Sequence, residues 1–149
     1  LSPFRPESTA IQAGRLMLQR IQHLARQGKD FAFETTMASR MFAPFLEECR
    51  SHGHSAHLLF LWLQSPELAI KRVAARVRDG GHHVSEELIR RRFRTGLRNF
   101  FRLYVPVADS WTLYDNSGYT PRLVALGSCA GPMVVHDGPT WAGIQEALP

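Results

Sequence analysis

The spacing of apolar and polar positions changes several times along the chain, and each change marks an element. Ile11, Leu18, Ile21 and Ala25 recur at helical spacing, with Ser8 or Thr9 placed to cap that helix and Gly28 to stop it after Gln27. Phe31-Ala32-Phe33 then reads as a short apolar strand ending on Glu34-Thr35-Thr36. Phe42, Phe45, Leu46 and Cys49 return to the helical period and predict a helix from about Ser39 to Ser51, broken at Gly53. His57 to Leu63 is apolar almost throughout, which is the pattern of a strand buried on both faces within a parallel sheet. Pro66 suits the first turn of a helix, and Leu68, Val73 and Val77 carry that helix to Arg78.

Asp79-Gly80-Gly81-His82-His83 reads as a glycine hinge. Ser85 and Glu86 open a longer helix with Leu88, Ile89, Phe93, Leu97 and Phe100 on one side. The opposite side carries Arg91, Arg94, Arg98 and Arg102, a basic stripe at helical spacing. Trp111 to Tyr114 predicts a strand closed by Asp115-Asn116-Ser117-Gly118. Arg122 to Leu126 and Met133 to His136 predict a small terminal β-ribbon, and Thr140 to Leu148 a last helix. Strands alternating with helices imply an α/β fold with a parallel sheet built from right-handed crossovers. With no repeat, low-complexity stretch or linker, the expectation is one domain over residues 1–149.

Composition narrows the classes. Of 149 residues, 44% are apolar, enough for one globular core, which argues against a disordered or fibrous chain. Eighteen basic and 13 acidic residues leave a net charge of +5, which suits an anionic partner such as a phosphorylated metabolite, nucleic acid or membrane surface. No apolar run approaches the roughly 18 residues that a membrane span needs. Cys49 and Cys129 are too few for a disulfide scaffold or a zinc knuckle, so a reducing, cytoplasmic setting is expected. The chain opens on Leu1 without the apolar core of a signal peptide, and it reads as a fragment or processed product that begins one strand late.

Ligands of open α/β sheets gather beyond the carboxyl ends of the strands. Glu34 and Thr36 follow one such end, and Asp115, Asn116 and Ser117 follow another. Each group also has a plainer reading, as a polar strand terminus with a capped turn and as an ordinary turn. Arg72, Arg76 and Arg78 precede the glycine pair, and Arg90, Arg91 and Arg92 follow it. Two arginine-bearing helices joined in this way fit a lid over polyphosphate, because guanidinium forks pair with phosphoryl oxygens and neutralise charge during transfer; solvated helix faces are also often arginine-rich. His82 and His83 have no further ligand at metal-binding spacing, so no protein metal site is expected. The sequence contains no G-x-x-x-x-G-K-[ST], G-x-G-x-x-G, G-x-S-x-G or H-E-x-x-H motif.

Four blocks in order carry a family resemblance: Phe31-Ala32-Phe33-Glu34-Thr35-Thr36; Phe60-Leu61-Trp62-Leu63-Gln64-Ser65-Pro66-Glu67-Leu68-Ala69; Arg76-Val77-Arg78-Asp79-Gly80-Gly81-His82-His83-Val84 with Ile89-Arg90-Arg91-Arg92-Phe93; and Tyr114-Asp115-Asn116-Ser117-Gly118. They resemble the zeta-toxin-like P-loop kinases, bacterial proteins often labelled predicted ABC-type ATPases. The likeness covers roughly Leu1 to Val124. It implies a P-loop-kinase-like parallel sheet flanked by helices, to which the residues' own pattern adds an arginine-rich helical lid and the small C-terminal β-ribbon. It further implies ATP and Mg²⁺ as cofactors, phosphoryl transfer to a small-molecule acceptor, and an antitoxin protein as partner. Zeta toxins proper phosphorylate a UDP-activated amino sugar.

Carried onto this sequence, the resemblance assigns Glu34, Thr36 and Arg40 to substrate, and Arg78, Arg91 and Arg92 to catalysis over the phosphates. Asp115 and Asn116 fall beside the nucleotide base. The family's Walker A loop and catalytic aspartate are expected upstream of Leu1. Two other readings compete: an inactive relative kept as a protein-binding module, and a nucleic-acid binder using the Arg91 to Arg102 stripe, which lacks an aromatic platform or recognition motif. ATP affinity in P-loop proteins comes largely from backbone N–H groups of the glycine-rich loop and its lysine. Residues 1–149 alone are therefore expected to bind ATP·Mg²⁺ weakly, if at all, and not to transfer phosphate. Calorimetric titration checks this, and micromolar binding would mean that the phosphate site lies within these residues.

Overall fold

The computed structural model describes residues 6–148, which fall into two compact units divided between Glu34 and Thr35. The first holds helix α1, Pro6–Arg26, and the segment that follows it. Gly28, in the left-handed region at φ 63°, stops the helix as its sequence predicts, and the Lys29 N–H returns to the Leu24 carbonyl at 3.1 Å. The side chains of Ser8, Thr9 and Ile11 lie outside the described ones; the helix itself starts at Pro6, ahead of the expected cap. Residues 31–33 form no strand, contrary to expectation. The Phe31 and Phe33 rings stack with centroids 6.4 Å apart, as i and i+2 residues of extended backbone do. A strand also needs a ladder partner, and the four-stranded sheet does not include this segment.

The second unit contains α2 (Phe42–Ser51), β1 (His57–Trp62), α3 (Pro66–Arg78) and α4 (Glu86–Asn99). A π-helical turn over Phe100–Tyr104 and a 3₁₀ turn over Val105–Val107 lead to β2 (Ser110–Asp115), β3 (Arg122–Ser128), β4 (Gly131–Val135) and α5 (Gly138–Glu146). Local chemistry sets the α3 and α4 starts: Ser65 accepts from the Leu68 N–H, Pro66 takes the first turn, and Ser85 accepts from the Leu88 N–H. The expected hinge is a helix stop. The Gly81 N–H bonds back to the Arg76 carbonyl at 2.9 Å, and a Cβ on Gly81 would stand 2.7 Å from that oxygen.

The sheet runs β1-β2-β3-β4 and is mixed. Only β1 and β2 are parallel; β2, β3 and β4 are antiparallel. The reason is connection length. Residues 63–109 carry helices and allow a crossover, whereas residues 116–121 are too few for one and fold back as a hairpin. The predicted terminal ribbon is thus the continuation of this sheet. β1 also departs from the doubly buried strand that its sequence suggests, with Leu59 at 60% and Leu61 at 49% exposure. In register with Thr112 and Tyr114, they share one sheet face, while Leu58 and Phe60 share the other with Trp111 and Leu113.

That second face holds the core. Phe100 is fully buried there, stacked on Phe60 at 4.5 Å and edge-on to Phe101 and Trp111 at 4.9 and 5.9 Å. Trp141 of α5 stacks on Trp111 at 6.2 Å. Gly127 lets the indole of Trp111 lie against β3, since a Cβ there would stand 2.9 Å from it. Asp109, just ahead of β2, ties the layers: its carboxylate accepts from the Arg50 guanidinium at 2.9 Å and from the Ala56 N–H at 2.7 Å. The Ala56 N–H, with Arg50 beside it, holds that carboxyl below its ordinary range. Because Phe100 touches both the sheet and the π turn, Phe100→Ala is expected to cost about 3–5 kcal/mol, read from the urea midpoint. A loss under 1 kcal/mol, against the ~3 expected, would show that the core closes without this ring.

Candidate functional site

Glu34 ends the first unit and is exposed. The other sequence-predicted site residues belong to the second unit. Thr36 and Arg40 lie on the exposed loop before α2, whose interior Met37 is buried. Local bonds shape this loop: Thr35 Oγ1 accepts from the Met37 N–H at 3.2 Å, and Ser39 Oγ accepts from the Met41 N–H at 3.2 Å. Met37 has φ 54°, the one non-glycine residue in the left-handed region among those described. Such a conformation persists only where the surroundings enforce it.

Those surroundings come from α4 and its π turn, and sequence reasoning missed them. Gly96 packs so closely on the Thr36 carbonyl that a Cβ would stand 2.4 Å from its oxygen. The Asn99 amide donates to the Met37 carbonyl at 2.9 Å and to the Ala38 carbonyl at 3.3 Å. The Tyr104 hydroxyl donates to the Ser39 carbonyl. Burial pushes the Tyr104 hydroxyl above its ordinary range against a bond from the Phe42 backbone, so it stays protonated and able to donate. One signal was available: Asn99 is a polar residue flanked by the apolar positions Leu97 and Phe100 of the buried stripe.

The predicted catalytic arginines are exposed. Arg78 stands in the last turn of α3, Arg91 and Arg92 in the first half of α4. None of the three, nor Arg40, forms an ion pair among the described residues. Arg90 differs, bonding Glu67 at the start of α3 and holding that carboxyl below its ordinary range. Since α3 directly follows β1, this bond ties Arg90 of α4 to the start of the helix that leaves the carboxyl end of β1. Arg92, Gly96 and Asn99 lie at i, i+4 and i+7 on one line of α4. Arg92 is thus about 6 Å along the helix axis from the glycine that meets Thr36. Arg91 lies on a different face, with the solvated stripe of Arg94, Arg98 and Arg102.

Asp115 and Asn116 stand at the carboxyl end of β2, as predicted, beside the end of β1. The Asn116 N–H extends the ladder to the Trp62 carbonyl at 2.8 Å, and Ser117 Oγ accepts from the Gln64 N–H at 2.9 Å. Arg72 of α3 donates to the Gly118 carbonyl at 3.2 Å, joining that helix to the same loop. Asp115 is buried, and its two oxygens accept from the Ser117 N–H and the Arg122 guanidinium, both at 2.9 Å. Burial opposes its ionisation, but the bonds from Ser117 and Arg122 outweigh burial and leave the carboxyl below its ordinary range. No three His, Cys, Asp or Glu side chains gather into a metal-binding group among the described residues. Magnesium bound with a nucleotide is held largely by phosphates and water. No helix among the described residues is long and apolar enough to cross a membrane.

Comparison with known proteins gives two matches. A family model described as Zeta toxin matches residues 5–123. A Haemophilus influenzae protein described as uncharacterized is 25% identical over 93 residues, 62% of this chain and 66% of its own length, so the match spans just under two thirds of that relative. No solved structure matches the chain.

The Asp115 environment makes an acid-side prediction. A carboxyl held lower in the folded than in the unfolded chain adds stability above its unfolded value, about pH 4, and loses it as pH falls through the folded value. Wild type is therefore expected to melt above Asp115→Asn near neutrality, with the gap closing in acid. Thermal melts across that range check this, and a gap independent of pH would remove the carboxylate from the account.

Proposed function

The chain belongs to the zeta toxin family, and on that premise we propose that it serves an ATP-dependent phosphotransferase acting on a small-molecule acceptor, with a nucleotide sugar as the acceptor class. The observation that carries this reading is the line Arg92, Gly96, Asn99 on α4. It sets a guanidinium without an ion pair one helical turn from the backbone of Thr36. A threonine hydroxyl and unpaired arginines are groups that bind and neutralise transferring phosphate.

In this reading Thr36 and Arg40 hold the acceptor. Arg78, Arg91 and Arg92 offset charge on the phosphates, with Arg92 the principal one because it shares the loop-facing side of α4. Arg90 already spends its charge on Glu67. Asp115, engaged by Arg122 and Ser117, shapes the nucleotide-side loop, and Asn116 borders the base. ATP is the phosphoryl donor and brings Mg²⁺ with it. Work on ATP and a nucleotide sugar belongs to the cytoplasm, and an antitoxin protein is proposed as partner on family grounds.

The test is arginine replacement in the complete protein, with the family's phosphate-binding loop present, and with ATP and UDP-N-acetylglucosamine as substrates. By analogy with arginine fingers, Arg92→Ala is expected to lower kcat on the order of 10³-fold. Arg78→Ala and Arg91→Ala should fall less, and Arg98→Ala on the solvated stripe should stay near wild type. Similar small losses in all four variants would overturn the assignment of these arginines to the phosphates.

A further inference from the structure

We propose that Asn99 is a positioning residue for the acceptor: through its amide it fixes the backbone of residues 36–39, and thereby where Thr36 and Arg40 stand. This rests on the phosphotransferase reading above. The observation behind it is four successive carbonyls turned to one helix. Thr36 meets Gly96, Met37 and Ala38 accept from Asn99, and Ser39 accepts from Tyr104. Consecutive peptide carbonyls in extended backbone alternate in direction. Bringing four to one side requires a reversal, and Met37 supplies it at φ 54°.

Asn99 is the member that enforces this reversal. At 4% exposure it has little access to water, and its amide nitrogen carries two hydrogens for two carbonyls. No aliphatic side chain could satisfy both carbonyls, and a carboxylate would repel them. The π turn explains how Tyr104 joins. Five residues along an α-helix rotate a side chain about 140° away, to another face. A turn closed by i→i+5 bonds brings residue 104 back toward the side of residue 99. Because Arg92 precedes Gly96 and Asn99 on the same rigid helix, the phosphate-side arginine and the acceptor loop share one frame. Any displacement of α4 moves both.

Asn99→Ser and Tyr104→Phe test this, with ATP and UDP-N-acetylglucosamine as the substrates. Asn99→Ser is expected to lower kcat/KM for the sugar nucleotide by about 10²-fold, the scale of a misplacement near 1 Å, with the KM for ATP unchanged. Tryptic cleavage after Arg40 should quicken, while cleavage after Arg122 should not. Tyr104→Phe, which removes a single hydroxyl, should shift the same quantities in the same direction by less, and it carries the comparison if Asn99→Ser fails to fold. Unchanged sugar-nucleotide kinetics in both variants would overturn the proposal. So would equal losses toward ATP and sugar accompanied by a lower Tm, the mark of a merely structural side chain. A wild-type protein that carries the upstream phosphate-binding loop and still transfers no phosphate would end the phosphotransferase reading and this positioning role with it. Continued protection of Arg40, lost in the variants, would distinguish that outcome from an error about the clamp itself.

Discussion

The ring of Phe100 is the contact on which the second unit depends. It has no exposure, and it meets Phe60 on β1 and Trp111 on β2 at the point where α4 passes into the π turn. Burying such a ring against the sheet takes a large apolar surface out of water. It therefore decides where α4 rests. Everything polar on the helix inherits that position: Arg92 two turns upstream, Asn99 one residue before, Tyr104 one π turn after.

Charged groups divide according to whether the fold uses them. Arg50 is spent on Asp109, Arg90 on Glu67 and Arg122 on Asp115. The first two pairs tie elements distant in sequence and the third closes the β2–β3 turn, and the carboxylates are held ionised by donors that the fold supplies. Arg40, Arg78, Arg91 and Arg92 form no such pair among the described residues. Their charge is not consumed by pairing within the fold.

Backbone satisfaction ties the candidate site to the same frame. The loop over residues 36–39 has no regular structure to absorb its carbonyls, and α4 with its π turn takes their place. The loop is consequently only as well placed as the helix beneath it. Asp109 works similarly at the other end of the unit, where one carboxylate joins the end of α2 to the approaches of β1 and β2.

What the sequence determined by itself was whatever depends on near neighbours. Pro66 after Ser65 fixed the start of α3, Ser85 fixed that of α4, Gly28 the stop of α1, and the apolar stripe of Phe42, Phe45 and Cys49 marked α2. Caps and helical periods act within a few residues, so they are written locally. The family was legible too, because the blocks that carry the resemblance are contiguous motifs. Tertiary structure alone decided that β1 buries one face, that the sheet turns antiparallel after β2, and that residues 31–33 join no ladder. It also brought Gly96, Asn99 and Tyr104 onto residues 36–39. That last outcome rests on close approaches between residues about sixty positions apart, where neither partner's local pattern carries the address of the other.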